Sequence, residues 1–197
     1  MSFKLGLTGS IGMGKSTTAK ILADEGCAVW DADAAVHRLY APGGLAVAPM
    51  QAAFPDAIEN GAVSRDRLKA IIMADPTALK RIEAIVHPLV GQDRADFIAQ
   101  AAADILVFDV PLMFETGGNR NMDAVLVVSA PEDVQRARVL ARGTMTEAQF
   151  EAIKAKQTPD AEKRERADYV VITDTPEHAK AQVQAILAEI RKGMADA

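Results

Sequence analysis

Apolar positions along this chain come in two rhythms, and the switches between them mark out its elements. The stretch Phe3–Thr8 alternates little and is bounded by a glycine-rich turn, the pattern of a short strand buried on both faces. Over 17–25 the spacing becomes helical: Ala19, Ile21, Leu22 and Ala23 form an apolar stripe, and Gly26 follows as a C-terminal cap. The stretch Ala28–Asp31 predicts a second strand, 33–40 another helix, and Pro42-Gly43-Gly44 a break. Strand alternating with helix predicts an α/β fold.

Over 45–103 strand signals vanish and helix signals accumulate. Ser64 is placed to cap a helix over Arg65–Ala74, and Asp75-Pro76 has the cap-then-proline start of the next one, so the segment predicts a helical insertion. Strand character returns in Ile105–Asp109 and again over 124–128, each short enough for a central parallel strand. The stretches 131–142 and 176–192 read as helices with a proline near the first turn. Between them, Thr146 and Gln149 form a capping box that opens a charged helix through Gln157, and 169–173 reads as the last strand. No internal repeat, heptad run or low-complexity tract breaks this order.

Composition narrows the class without changing the order. A chain of 197 residues predicts one compact core with a subdomain or lid, and 49% hydrophobic with 25% charged residues excludes a disordered chain. The abundance of alanine favours helices and argues against an all-β sandwich. A net charge of −5 supplies no positive field to draw the protein onto nucleic acid or an anionic membrane, so anionic ligands must be held by local groups. The single cysteine, Cys27, excludes an internal disulfide framework and most zinc clusters. The first residues lack the basic and apolar regions of a signal peptide, and no run approaches the ~18 apolar residues that span a bilayer. A cytosolic location is expected.

The chemistry is concentrated in Gly9-Ser10-Ile11-Gly12-Met13-Gly14-Lys15-Ser16, two glycines five apart followed by Lys and Ser, set between a predicted strand and a predicted helix. Glycines let the backbone approach a phosphate, so that successive N–H groups and the N-terminus of the following helix face the anion. Lys15 adds a charge for the outer phosphates, and the Ser16 hydroxyl is a ligand for Mg²⁺. Asp109, ending an apolar strand, is placed to hold the Mg²⁺ shell. In Asp31-Ala32-Asp33, after the second strand, a carboxylate can serve as general base toward a hydroxyl acceptor, or Asp33 can simply cap the next helix. Arg138 and Arg142, four apart, share a helix face and suit a clamp on phosphate oxygens.

These residues resemble those of the dephospho-coenzyme A kinase family, and the resemblance covers nearly the whole chain. It is carried by the stretch 6–17, Asp31-Ala32-Asp33, Arg38, Pro42-Gly43, Arg65 with Leu68, Asp75-Pro76, His87-Pro88, Asp109-Val110-Pro111-Leu112-Met113-Phe114-Glu115, Arg138, Arg142, Gln157 and Ala167-Asp168. The resemblance implies a three-layer P-loop kinase with a central parallel sheet: a core over 1–44, 104–142 and 168–197, a helical acceptor-binding insertion over 45–103 and a helical lid over 143–167. It implies phosphorylation of the ribose 3′-hydroxyl of dephospho-coenzyme A by MgATP. By position, Asp33 is the base, Lys15 and Arg142 stabilise charge, and Gly12, Met13, Gly14, Lys15, Ser16, Thr17 and Arg138 hold ATP. Thr8, Asp33, Arg38, Arg65, His87 and Asp109 meet the acceptor, and Ser16 and Asp109 the metal. The partner expected is this small molecule, with neither nucleic acid nor membrane and at most a weak homo-oligomer.

The chain departs from the family pattern at four places: Ser10 replaces a glycine, Met13 a small residue and Gly143 an aspartate, and Thr173-Asp174-Thr175 stands where Asn-x-Gly follows the last strand. Two other readings stay open. Another small-molecule kinase would share the core and differ in its acceptor. A guanine-nucleotide switch would need Asn-Lys-x-Asp, and none of Asn60, Asn119 and Asn121 precedes a lysine.

Overall fold

The computed structural model describes residues 2–196, which divide into two compact units. The first runs through Trp30 and resumes at Ala102; the second is Asp31–Ala101.

In the first unit, β1 (Phe3–Thr8), β2 (Ala28–Asp31), β5 (Ile105–Asp109), β6 (Ala124–Ser129) and β7 (Tyr169–Ile172) form a sheet in the order β2-β5-β1-β6-β7. The registers of β1 with β5, β1 with β6 and β6 with β7 are all parallel. Every residue of β5 and β6 is buried, which is why their sequences are continuous apolar runs rather than alternations. Leu5, Leu7, Val107, Leu126 and Val128 pack with Leu22 of α1 (Lys15–Asp24) and with Val183 and Leu187 of α9 (Pro176–Ala195). Met113, Phe114, Val125 and Val127 form a separate cluster.

The remaining helices of this unit are α6 (Glu132–Ala141), α7 (Glu147–Lys154) and α8 (Asp160–Glu165). Helix α1 ends as its glycine requires: Gly26, at φ 92°, donates to the Ala23 carbonyl at 3.0 Å and Cys27 to that of Leu22 at 3.1 Å. It begins at Lys15, two residues before the expected start, because Gly14 serves as its cap. The capping box of Thr146 and Gln149 is present, but its helix stops at Lys154 instead of running through Gln157. A turn follows, and Pro159, which cannot continue a helix from upstream, starts α8.

The second unit holds α2 (Ala32–Tyr40), α3 (Val47–Ala53), α4 (Arg65–Ala74) and α5 (Ala78–Gln100). They enclose a core of Leu39, Met50, Phe54, Leu68, Ile82 and Val86. The boundary therefore falls at Asp31 rather than at residue 45, since α2 packs on α5 and buries Leu39 here. Strands are not absent from this region: β3 (Ile58–Glu59) and β4 (Ala62–Val63) pair antiparallel around Asn60-Gly61, a dipeptide that favours tight hairpins. Ser64 caps α4 as expected. Helix α5 starts at Ala78, beyond Asp75-Pro76, because the Asp75 carboxylate accepts from the Thr77 N–H at 2.9 Å and its hydroxyl at 2.6 Å. It continues through His87-Pro88. Pro88 cannot donate to the Ala84 carbonyl, but both residues are exposed and water can take that place. Among the described residues no helix is long and apolar enough to cross a membrane.

Candidate active site

Strand β1 delivers its last residue, Thr8, fully buried, with its hydroxyl donating to the Pro111 carbonyl at 3.1 Å. The chain then turns through Gly9–Gly14 (9–14) into α1. Gly12 and Gly14 hold φ of 77° and 90°, and an added Cβ would lie 2.5 Å from Val139 Cγ2 or 2.9 Å from Thr173 Oγ1, so both conformation and space demand glycine. Gly14 offers α1 no side-chain cap, and the first turn of α1 carries no acidic residue. Its first N–H groups, which have no intrahelical partners, and its positive dipole end are left for an anion.

The loop is gripped by side chains. Gln135 Nε2 donates to the Ile11 carbonyl at 2.7 Å, and the Ile11 N–H donates to Gln157 Oε1 at 3.1 Å. Thr173 Oγ1 donates to the Met13 carbonyl at 2.7 Å while accepting from Arg138 Nη1 at 3.0 Å; Arg138 also donates to the Thr173 carbonyl. Met13 and Ser10 are accommodated because both side chains are buried and the loop works through its backbone. Gly143, at φ 63°, closes α6 with its N–H on the Leu140 carbonyl at 3.1 Å, a helix stop that an aspartate would make less readily.

Beside the loop, Lys15 pairs with Asp109, which β5 presents at its end in register with Leu7. Asp109 is 2% exposed, so the lysine is its charge partner in a setting with little water. Ser16 and Thr17 are exposed in the first turn of α1. Arg138 and Arg142, with Gly14, Thr17, Thr18 and Thr173, line a cleft of about 140 Å³. A larger cavity of about 500 Å³ touches the loop at Ser10 and Met13 and is lined further by Ser129, Gln135 and Asp160. Thr8, Gly12, Met13, Gly14, Lys15, Ser16, Thr17, Asp109, Arg138 and Arg142 thus all belong to the first unit.

The other expected residues belong to the second unit. Asp31, not Asp33, caps α2: its carboxylate accepts from the Ala34 N–H at 2.9 Å. The capping alternative for Asp33 is therefore ruled out, and Asp33 stands exposed in the first helical turn. Arg38 forms a two-pronged pair with Asp93, at 2.6 and 3.3 Å. The Arg65 guanidinium lies 5.9 Å from the centre of the Tyr40 ring; burial pushes the Tyr40 hydroxyl above its usual pKa, opposed by that cation. His87 is exposed on α5.

Two loop-holding residues, Gln135 and Thr173, were not singled out from sequence for that role. Gln135 shares the buried face of α6 with Val139, four residues on, and a polar residue on an apolar stripe is the signal that could have found it. Thr173 carried no local signal, because its partners are 35 and 160 residues away.

A model of one protein family, described as dephospho-CoA kinase, matches residues 3–178 of the chain. The chain belongs to the dephospho-CoA kinase family. A dephospho-CoA kinase of Ruegeria pomeroyi is 69% identical over 193 residues, covering 98% of each protein. Among solved structures, a Thermus thermophilus protein is 32% identical with a TM-score of 0.84, covering 95% of this chain and 97% of its own. A dephospho-CoA kinase from Campylobacter jejuni, at 22% identity, shares the fold with a TM-score of 0.71 over 98% of this chain and 99% of its own. The dephospho-CoA kinase family is thus matched across both units, not only through its phosphate loop.

Proposed function

We propose that the loop 9–14 and the start of α1 hold the triphosphate of MgATP while its γ-phosphoryl passes to the ribose 3′-hydroxyl of dephospho-coenzyme A. The products are ADP and coenzyme A, and the reaction is the last step of coenzyme A biosynthesis. The observation that carries this reading is the bare N-terminus of α1, capped by a glycine and free of acids, with Lys15 and Asp109 paired beside it.

In this reading Gly12, Met13, Gly14, Lys15, Ser16 and Thr17 cradle the phosphates through backbone N–H groups, with Arg138 beside them. The cleft of about 140 Å³ next to Gly14 and Thr173 takes the base. Ser16 and Asp109 supply hard oxygen donors suited to Mg²⁺, which when bound neutralises charge on the phosphates. Among the described residues no group of three or more His, Cys, Asp or Glu could hold a metal, which fits an ion carried mainly by the nucleotide. Asp33 takes the proton of the 3′-hydroxyl as its oxygen attacks the γ-phosphorus and the bond to the β-phosphate oxygen breaks. Lys15 and Arg142 stabilise the charge that spreads over the transferring group.

Thr8, Arg38, Arg65, His87 and Asp109 join Asp33 in recognising the acceptor, and the segment 143–167 acts as a lid that keeps water from the phosphoryl group. The reading carries a cytosolic location and no need for nucleic acid, membrane or more than weak self-association. A coupled ADP-release assay with and without dephospho-coenzyme A tests it. ADP should appear only with the acceptor, and phosphorus NMR should show a new 3′-phosphate; release indifferent to the acceptor would refute the proposal.

A further inference from the structure

Lys163 is fully buried, more so than any other charged side chain among the described residues. Its ammonium is paired with Glu115 Oε1 at 3.2 Å and has no hydrogen-bond partner of good geometry among the described residues, so its charge leans on that carboxylate. Burying an ammonium is unfavourable even when it is paired, and an apolar side chain of similar volume would hold the six-residue α8 at lower cost. The pair therefore calls for a role beyond packing.

Its surroundings supply one. Glu115 lies in the turns that follow Asp109, and its Oε1 also accepts the Thr158 N–H at 2.8 Å. Burial pushes the Glu115 carboxyl upward, but the Thr158 N–H and Lys163 outweigh it and hold the group below the usual glutamate range. The residue before Thr158 is Gln157, whose Oε1 accepts the Ile11 N–H of the phosphate loop at 3.1 Å. Arg166, three residues past Lys163, lays its guanidinium 4.4 Å from the centre of the Phe114 ring, next to Glu115. An unbroken path thus leads from Lys163 through Glu115, Thr158 and Gln157 to Ile11. The adjacent Gly12 is packed closely against Val139 and Gln135, with no room for even a Cβ.

We propose that the Lys163–Glu115 pair is a strut that sets the phosphate loop: it fixes the Gln157-Thr158 junction, and Gln157 in turn holds Ile11 where the neighbouring amides meet a phosphate. Lys163, Glu115 and Gln157 are positioning residues, and the inference rests on the phosphate-binding reading above.

The test uses the full chain, calorimetric titration with inorganic tripolyphosphate and Mg²⁺, and steady-state kinetics, with Lys163→Met, Gln157→Leu and the double variant. Each single variant should lose about tenfold in tripolyphosphate affinity, the scale of one neutral hydrogen bond. The KM for ATP should rise by the same factor while the KM for dephospho-coenzyme A stays at its wild-type value. The double variant should lose no more than either single one, because both cut the same path. Folded Lys163→Met protein with wild-type tripolyphosphate affinity, or losses that multiply in the double variant, would overturn the strut. If Lys163→Met does not fold, Gln157→Leu decides alone: tenfold loss supports the strut and unchanged affinity overturns it. Wild-type protein that does not bind tripolyphosphate at all would overturn the phosphate-binding reading itself, and the strut with it.

Discussion

Helices α1 and α2 each follow a strand, yet they begin in opposite ways. Helix α1 starts on a left-handed glycine with no side-chain cap and no acid in its first turn. Helix α2 is capped by Asp31 and carries Asp33 in that turn. The open N–H groups of a first helical turn are thus left for an anion in one case, and in the other one of them is already met by the Asp31 carboxylate. What a helix terminus can do is decided by two or three residues around the cap. A phosphate is favoured at the first end and disfavoured at the second, where two acids already supply negative charge.

This contrast can be broken at four points. Removing the carboxylate charge of α2 with Asp33→Asn should lower kcat about 10³-fold while titration with a fluorescent ATP analogue shows near wild-type affinity. Turnover at the wild-type rate would remove Asp33 from the base role. Lys15→Ala should reduce kcat by roughly 10²- to 10³-fold through lost charge stabilisation, read in the same ADP-release assay. Gly12→Ala strains a φ of 77° and drives a methyl group into Val139, and denaturant unfolding should show a loss of roughly 2 kcal/mol. The smallest effect belongs to the cap of α2. Asp31→Ala should cost about 1 kcal/mol in the same unfolding experiment, and no change would mean that water replaces the cap without penalty.

The sequence was a good guide wherever one local rule acted alone. The strands β1 and β5 and the helix α4 fall where apolar runs and Ser64 put them, because burial pattern and capping are properties of neighbouring residues. The phosphate loop was legible for the same reason. The hairpin of β3 and β4 shows only through Asn60-Gly61, since two-residue strands carry almost no periodicity. The charged helix stops at Lys154, short of Gln157, and Pro159 forces a new start. Thr173 and the Lys163–Glu115 pair could not be read at all: their partners come from distant parts of the chain, and only the folded arrangement shows that a buried lysine has found a carboxylate.

One further property follows from the end of α1. Cys27, tucked in beyond the glycine that closes that helix, is 7% exposed, and burial raises its thiol to about 11. At neutral pH the sulfur stays protonated and shielded, so it is a poor target for maleimides and iodoacetamides. The native chain therefore offers a silent background for site-selective labelling. A cysteine introduced on an exposed helix, such as α7, would take up a fluorophore or spin label alone, and distance measurements could follow that segment during turnover without first deleting the natural thiol.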